Sequence, residues 1–490
     1  MSTSSIYQSG VLLHPTSLPG IGGIGEIGPE AYKFIDDLSD MGQSFWQILP
    51  LGPVDKYGSP YSSSSTFAGN ELLISLELLV EDGLLDSAYL NKIKKNEKGN
   101  VSFPDVKDYK RSILKYVSEN FDLNCSIEIK NRFIQFTLGQ SYWLDDYARY
   151  CSLKELNSNK SWIDWDSDSH SREINEKYVK IIQFIFHDQW TRLREYCKRR
   201  KIRIIGDMPI YVGYDSADVY FNKSLFQLDE SGRMKYKSGC PPCEYQEEGQ
   251  VWGNPLYKWE AHEESDFVWW KNRLSKLLEM VDVIRLDHFI GYHRYYRIPV
   301  IESTAKNGKW IKSPGDKLFS MMSTLINKDN IIAEDLGDVT SDVLRLRDKY
   351  KYPGMKVLQF DFNQIPDLDN NYCSTVMYTG THDNDTIMGW FSTLSDIDSN
   401  PDILTKTKLL EFLGCKSDQI NWEIINYAMR SRSKICIFPM QDILSLDSSC
   451  RFNTPGTLSQ NNWSWRMDKH IGCDDKNKLL EITVNNKRKN

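Results

Sequence analysis

The chain has no apolar stretch near the ~20 residues needed to cross a bilayer. Residues 1–10 carry no charged start followed by a long apolar run, so no secretory leader is expected. There is no excess of basic charge: 60 Lys and Arg stand against 67 Asp and Glu, a formal net charge of −7. That balance offers nothing to nucleic acid or to an anionic membrane surface. A cysteine framework is missing too. The 10 cysteines are scattered, and the one C-x-x-C pair, Cys240 and Cys243, has no second pair or nearby histidines to complete a zinc site. Free thiols in a cytoplasmic protein are the expectation. Internal repeats, low-complexity segments and flexible linkers are absent, and the basic tail 487–490 reads as a solvated end.

A glycine-rich stretch, G-I-G-G-I-G at 20–25, formally matches a dinucleotide-binding fingerprint. Such a fingerprint must follow its strand directly. Here Pro15 and Pro19 intervene, so the stretch reads as a loop leading into a helix that starts near Pro29.

What the chain does have is aromatic and periodic. Aromatics make up 12%, with 14 Trp and 26 Tyr, a supply that suits both a core and stacking against flat, uncharged ligands such as sugar rings. Eight short apolar runs, at 11–13, 44–49, 202–205, 281–286, 330–333, 356–360, 375–378 and 435–438, are mostly separated by helical patterns. Nearly all end in a polar or ionisable residue, among them His14, Asp207, Asp287, Glu334, Asp361 and Asp442. Alternation of this kind predicts a parallel sheet. Reactive groups at the C-terminal ends of eight strands predict a (β/α)₈ TIM barrel. A doubly wound open sheet is the alternative, but it would gather its ligand at one switch point.

All 490 residues are read as a single barrel carrying two inserted subdomains. Roughly 150 residues separate the second and third strands, against the dozen or more that a parallel crossover requires. Residues 60–178 are therefore expected to form a mainly helical insertion, followed by a long helix over 178–200. A second insertion, 208–265, holds the loop stretches G-C-P-P-C-E-Y at 239–245 and G-Q-V-W-G-N-P-L-Y at 249–257.

The stretch V-D-V-I-R-L-D-H-F at 281–289 concentrates the chemistry. On an extended backbone Arg285 and Asp287 point to the same face, where a guanidinium keeps a carboxylate ionised, as a nucleophile must be. In a barrel, Asp287, Glu334 and Asp383 would share one mouth. Three carboxylates there cannot all ionise cheaply, which favours a protonated acid beside an ionised partner, the pairing that glycoside chemistry needs. Rim ion pairs would use the same residue types.

Beyond these residues, the sequence resembles the 4-α-glucanotransferases (amylomaltases, or disproportionating enzymes) of glycoside hydrolase family 77, in the α-amylase clan. The motifs that carry the resemblance span nearly the whole chain: G-V-L-L-H-P-T-S-L-P at 10–19, W-Q-I-L-P-L-G-P at 46–53, S-P-Y at 59–61, G-D-M-P-I at 206–210, W-G-N-P-L-Y at 252–257, R-L-D-H-F at 285–289, A-E-D-L-G at 333–337, T-G-T-H-D-N-D at 379–385 and N-T-P-G-T at 453–457. The resemblance implies a retaining transferase that moves an α-1,4-glucan segment between maltodextrins, without metal or organic cofactor. It implies Asp287 as nucleophile, Glu334 as acid and base, and Asp383 as the residue holding ring hydroxyls. Arg285, His288 and His382 would supply charge and hydrogen bonds around the reacting ring. Asp207, Trp252, Asn254, Gln250, Tyr61, Ser59 and Asn453 match positions lining glucan subsites. Two positions depart from the family pattern: Cys243, where an Asp is frequent, and Ile290, where an Arg is common. An amylase-like hydrolase would use the same carboxylates, and a non-catalytic glucan-binding barrel would not require an acid/base pair.

Overall fold

The computed structural model describes residues 7–93, 99–166, 176–243, 246–362, 373–396 and 404–489. Glu244 and Tyr245, the start of the N-terminal stretch at 1–6, and Asn490 lie outside that set.

Among the described residues twelve strands follow in chain order: β1 (Gln8–Leu12), β2 (Phe45–Gln47), β3 (Arg203–Met208), β4 (Tyr236–Cys240), β5 (Gln250–Pro255), β6 (Val283–Leu286), β7 (Arg294–Pro299), β8 (Lys309–Lys312), β9 (Ile331–Ala333), β10 (Gly354–Val357), β11 (Thr375–Tyr378) and β12 (Ile435–Pro439). Eight of them form one parallel sheet in the order β10-β11-β12-β1-β2-β3-β6-β9. Its outer members meet where the Ala333 N–H donates to the Pro353 carbonyl (2.8 Å), so the sheet curls into a barrel. The (β/α)₈ expectation holds. One strand ends early: the run at 356–360 was expected to stay extended, but the backbone turns helical at Leu358–Asp361. Only Gly354–Val357 pairs with β11, and a backbone past the edge of its partner has no ladder to keep it straight.

Period-2 alternation fills the barrel. Leu12, Phe45, Ile205, Val283, Ile332, Met355, Val357, Val376, Tyr378 and Ile437 form one inner cluster, to which every barrel strand contributes. Room is tight: a Cβ at Gly10 would sit 2.4 Å from Cβ of Phe45, so β1 passes the inner ring only as glycine. The same alternation carries Val283 to Arg285 and Ile205 to Asp207, which places both polar side chains on the inner face at the C-terminal end.

Between β2 and β3 the described chain is helical, with helices at Phe103–Glu119, Ile127–Gly139, Ser141–Leu156 and Lys177–Arg199. The last buries Ile182, Phe186 and Leu193. The remaining four strands build a separate antiparallel sheet, β5-β4-β7-β8. It draws β4 and β5 from the segment after β3, and β7 and β8 from the segment after β6. No helix among the described residues is long and apolar enough to cross a membrane.

Candidate active site

The mouth of the barrel is organised by one guanidinium. Arg285 is buried, and its Nη1 donates to both carboxylate oxygens of Asp207 (2.8 and 2.9 Å) and to Oδ1 of Asp287 (3.1 Å). Its Nη2 lies 3.7 Å from Oε2 of Glu334. The register explains the first contact, since Asp207 and Arg285 are direct neighbours on β3 and β6. Backbone bonds hold the other two: the Asp287 N–H donates to the Met208 carbonyl (3.2 Å) and the Glu334 N–H to the Leu286 carbonyl (3.0 Å). His288 then adopts the left-handed region, φ 46°, uncommon for a non-glycine residue. In this conformation its backbone N–H donates to Oε2 of Glu334.

A second group faces this one, drawn from the segments after β2, β11 and β12. The Tyr61 hydroxyl donates to Oδ2 of Asp207 (2.5 Å) and lies 3.0 Å from Nε2 of His382. Tyr61 has one hydroxyl proton and gives it to Asp207, so the His382 contact requires the Nε2–H tautomer, with His382 donating. The two rings stack, centroids 5.5 Å apart. Asp383 receives the Asn453 side-chain amide on Oδ1 (2.6 Å), while Arg451 donates to its backbone carbonyl (2.6 Å). The fold thus gathers Asp207, Arg285, Asp287, His288, Glu334, Tyr61, His382, Asp383 and Asn453 at one rim.

The residues of the second insertion that the resemblance assigns to glucan subsites sit further out. Trp252 meets the His288 ring edge-on, centroids 4.8 Å apart, and donates its indole N–H to Oε1 of Gln250 (2.9 Å). The Asn254 amide is engaged within the protein, donating to the Val212 carbonyl (3.0 Å) and accepting from the Ser238 hydroxyl (3.2 Å). The Ser59 hydroxyl accepts the backbone N–H of Tyr61 (3.3 Å), which orders the loop that presents that ring.

Burial sets the electrostatics. It pushes the Glu334 carboxyl up to about 8, against the pull of Arg285 and with help from the Asp287 charge. Asp287 is pushed up to about 7, again by burial first and then by the Asp207 charge, although Arg285 opposes both. This corrects the strength, not the direction, of the expectation that Arg285 keeps Asp287 ionised: the guanidinium lowers Asp287 but is shared among three carboxylates, and Asp207 takes two of its contacts. A second correction concerns the histidines. Burial lowers His288 to about 4 and lowers His382, so neither ring brings a cation to the mouth near pH 7; His382 meets the Tyr61 hydroxyl through Nε2, and His288 bonds Glu334 through its backbone N–H. The cation of the site is Arg285, whose charged form the surrounding carboxylates reinforce despite its burial.

Three further neighbours were given no site role from the sequence. Trp463 packs on Tyr61 and His382 (5.7 and 6.0 Å between centroids), with its own φ at 64°. Arg451 anchors the Asp383 backbone. His14, buried near His382, is lowered to about 3 by burial and by that neighbour. His14 stood in the pattern as a polar strand end; Arg451 and Trp463 come from the irregular segment after β12, where no period marks which residues turn inward. Among the described residues, no group of three or more His, Cys, Asp or Glu is placed to hold a metal ion.

The profile of the family described as 4-alpha-glucanotransferase, glycoside hydrolase family 77, matches residues 13–471. A 4-alpha-glucanotransferase of Synechocystis sp. is 41% identical over 479 residues, covering 94% of this chain and 93% of its own length. One from Aquifex aeolicus is 39% identical, with 94% of this chain and 95% of its own length covered. Among solved structures, the amylomaltase from Streptococcus agalactiae, in complex with acarbose, superposes with a TM-score of 0.91 at 34% identity, over 99% of this chain and 100% of that one. These matches span nearly the whole chain, and the chain belongs to the 4-alpha-glucanotransferase family.

Proposed function

We propose that this 4-α-glucanotransferase moves α-1,4-glucan segments between maltodextrins by double displacement, with Asp287 as nucleophile and Glu334 as acid and then base. The observation that carries the reading is that both carboxylates lie against one guanidinium and are both shifted into the neutral range, so near pH 7 the pair holds about one proton. Asp287 touches Arg285 through a hydrogen bond, whereas Glu334 has only the longer contact, so the proton resides on Glu334. Oε2 of Glu334 already accepts the His288 N–H, which leaves Oε1 to carry the proton toward the leaving oxygen.

Asp287 attacks the anomeric carbon as Glu334 protonates the departing glucan, giving a covalent glucosyl ester with inversion. Glu334, now ionised, takes the proton from the 4-hydroxyl of an incoming glucan, whose attack inverts the centre again and releases Asp287. Asp383, held by Asn453, accepts hydrogen bonds from hydroxyls of the distorted ring. Tyr61 offers that ring a flat face, and Asp207 is the anion that keeps Arg285 and Tyr61 in place.

The substrate class is α-1,4-linked maltooligosaccharides, with Trp252, Gln250 and Asn254 lining the cleft beyond the reacting ring. Residues 60–178 and 208–265 are read as insertions that shape this cleft on one catalytic unit. A cytoplasmic setting fits the 10 free thiols; the relative from Solanum tuberosum is described as chloroplastic/amyloplastic. Incubation with maltotriose tests the reading. A ladder of longer maltodextrins with glucose is the expected product pattern. Accumulation of glucose and maltose alone means that water resolves the ester, and an unchanged substrate means a binding protein.

A further inference from the structure

Asp442, three residues beyond the end of β12, is an ionisable strand-end residue that the mechanism above does not use. Its side chain is buried, and its contacts among the described residues include no Lys or Arg. A carboxylate taken out of water without a cation is costly unless hydrogen bonds hold it. Here there are two, and their placement is informative. Oδ2 accepts the hydroxyl of Thr379 (2.7 Å), the first residue after β11. Oδ1 accepts the backbone N–H of Ile387 (2.8 Å), the first residue of the helix Ile387–Thr393. The seven residues between these anchors include His382 and Asp383.

We propose that Asp442 is a positioning residue that fastens both ends of the 380–386 loop and so sets where His382 and Asp383 stand at the barrel mouth. The proposal rests on the role given to Asp383 above. Asp442 is itself fixed, because the Asn421 side-chain amide donates to its carbonyl (2.8 Å). Within the loop, Oδ1 of Asn384 accepts the Thr381 N–H and hydroxyl (2.9 and 2.8 Å), and Gln359 donates to the Asp385 carbonyl (2.8 Å). The loop therefore behaves as a rigid piece, held in its middle by the Asn453 N–H at the His382 carbonyl (3.1 Å) and by Arg451 at the Asp383 carbonyl, and at its two ends by Asp442. Burial raises the Asp442 carboxyl to about 7, opposed by the Ile387 N–H and the Thr379 hydroxyl and reinforced by the Asp385 charge. Neither contact needs a full negative charge. An amide oxygen can accept from Ile387, and an amide N–H can donate to Thr379, whose hydroxyl accepts as readily as it donates.

Asp442→Asn, Asp442→Ala and Thr379→Val, assayed for glucose release from maltotriose alongside thermal unfolding, test this. Misplacing a catalytic group by an ångström costs on the order of 10²-fold. Asp442→Ala, which removes both anchors, is therefore expected to lower kcat by roughly 30- to 100-fold with KM changed by less than about threefold. Thr379→Val, which removes one, should lower it by roughly 5- to 10-fold, and Asp442→Asn should stay within about threefold of wild type. A folded Asp442→Ala that keeps its kcat overturns the proposal, and so does an Asp442→Asn that falls as far as the alanine. If the alanine does not fold, a folded Thr379→Val with wild-type kcat overturns it instead. Asp383→Asn separates the two readings: full turnover there sinks the role of Asp383 itself, whereas an inactive Asp383→Asn beside an unimpaired Asp442→Ala sinks only the clamp.

Discussion

The two sheets of this protein handle polar residues in opposite ways. In the eight-stranded parallel sheet the strands are buried on both faces, and the polar side chains at their ends are drawn into one network: His382 to Tyr61, Tyr61 to Asp207, Asp207 to Arg285, and Arg285 on to Asp287 and Glu334. In the four-stranded antiparallel sheet, β5 is open to solvent, and its polar side chains pair locally, Trp252 with Gln250 and Asn254 with Ser238. Rigid, desolvated placement strengthens electrostatics where bonds break. On the function proposed above, a partly open strand would offer an aromatic face to sugar rings that only have to be held. Changes in the first sheet should therefore act on turnover and stability, and changes in the second on affinity.

The largest effects belong to the barrel mouth. Asp287→Asn and Glu334→Gln should each lower kcat by several orders of magnitude, since general acid–base catalysis alone contributes about 10²- to 10⁴-fold. A donor with a fluoride leaving group, which needs no protonation, separates them. Glu334→Gln should form the glucosyl ester with α-maltosyl fluoride and Asp287→Asn should not, a difference visible by mass spectrometry of the intact protein. An ester on Asp287→Asn would show that the roles are misassigned.

Next comes the guanidinium. Arg285→Met leaves Asp207, Asp287 and Glu334 buried without their cation, and removing one partner of a buried pair costs about 3–5 kcal/mol. Urea unfolding at pH 8 should show that loss. It should shrink at pH 5, because the stranded carboxyls can then bind protons.

The pH dependence follows from the same two carboxyls. The acid step needs Glu334 protonated and fails as pH rises past about 8; the attack needs Asp287 ionised and fails as pH falls below about 7. kcat/KM should therefore be bell-shaped with a narrow top, its limbs belonging to the coupled pair. Stability has a definite sign. Both folded-state values lie above those of the unfolded chain, so the folded state binds more protons, and the contribution is present at acid pH and lost as pH rises toward 8. Glu334→Gln has no proton to lose, so its unfolding temperature should exceed that of wild type at pH 9 and the gap should close toward pH 5.

How much of this could be read from residues alone follows the same division. A barrel strand is a short apolar run with a polar end, so Asp287 and Glu334 stood out from pattern and residue type, and their neighbours on the inner face followed from period 2. The shift of Asp287 did not, because it depends on how three carboxylates from different strands divide one guanidinium. The antiparallel sheet was not legible, since its strands come from two loops far apart in sequence and β7 and β8 fall outside the 208–265 segment. Trp463 was hidden for another reason: a bulky residue at φ 64° is strained locally and is held there by tertiary packing.

The smallest expected effect is the most specific to the antiparallel sheet. Trp252 is 37% exposed, and its ring meets His288, the residue whose backbone N–H reaches Glu334. If the indole only recognises glucan, Trp252→Ala should raise KM for maltoheptaose by roughly 5- to 10-fold, the ~1 kcal/mol of one lost aromatic face, and leave kcat within about threefold. The burial of Glu334 would be unchanged, so the alkaline limb should stay near pH 8. If Trp252 also shields the His288–Glu334 contact from water, its removal would ease desolvation of the acid, and that limb would move to lower pH with a fall in kcat. A shifted limb would place part of the antiparallel sheet in the same electrostatic unit as the barrel mouth, and an unshifted one keeps the division of labour between the two sheets intact.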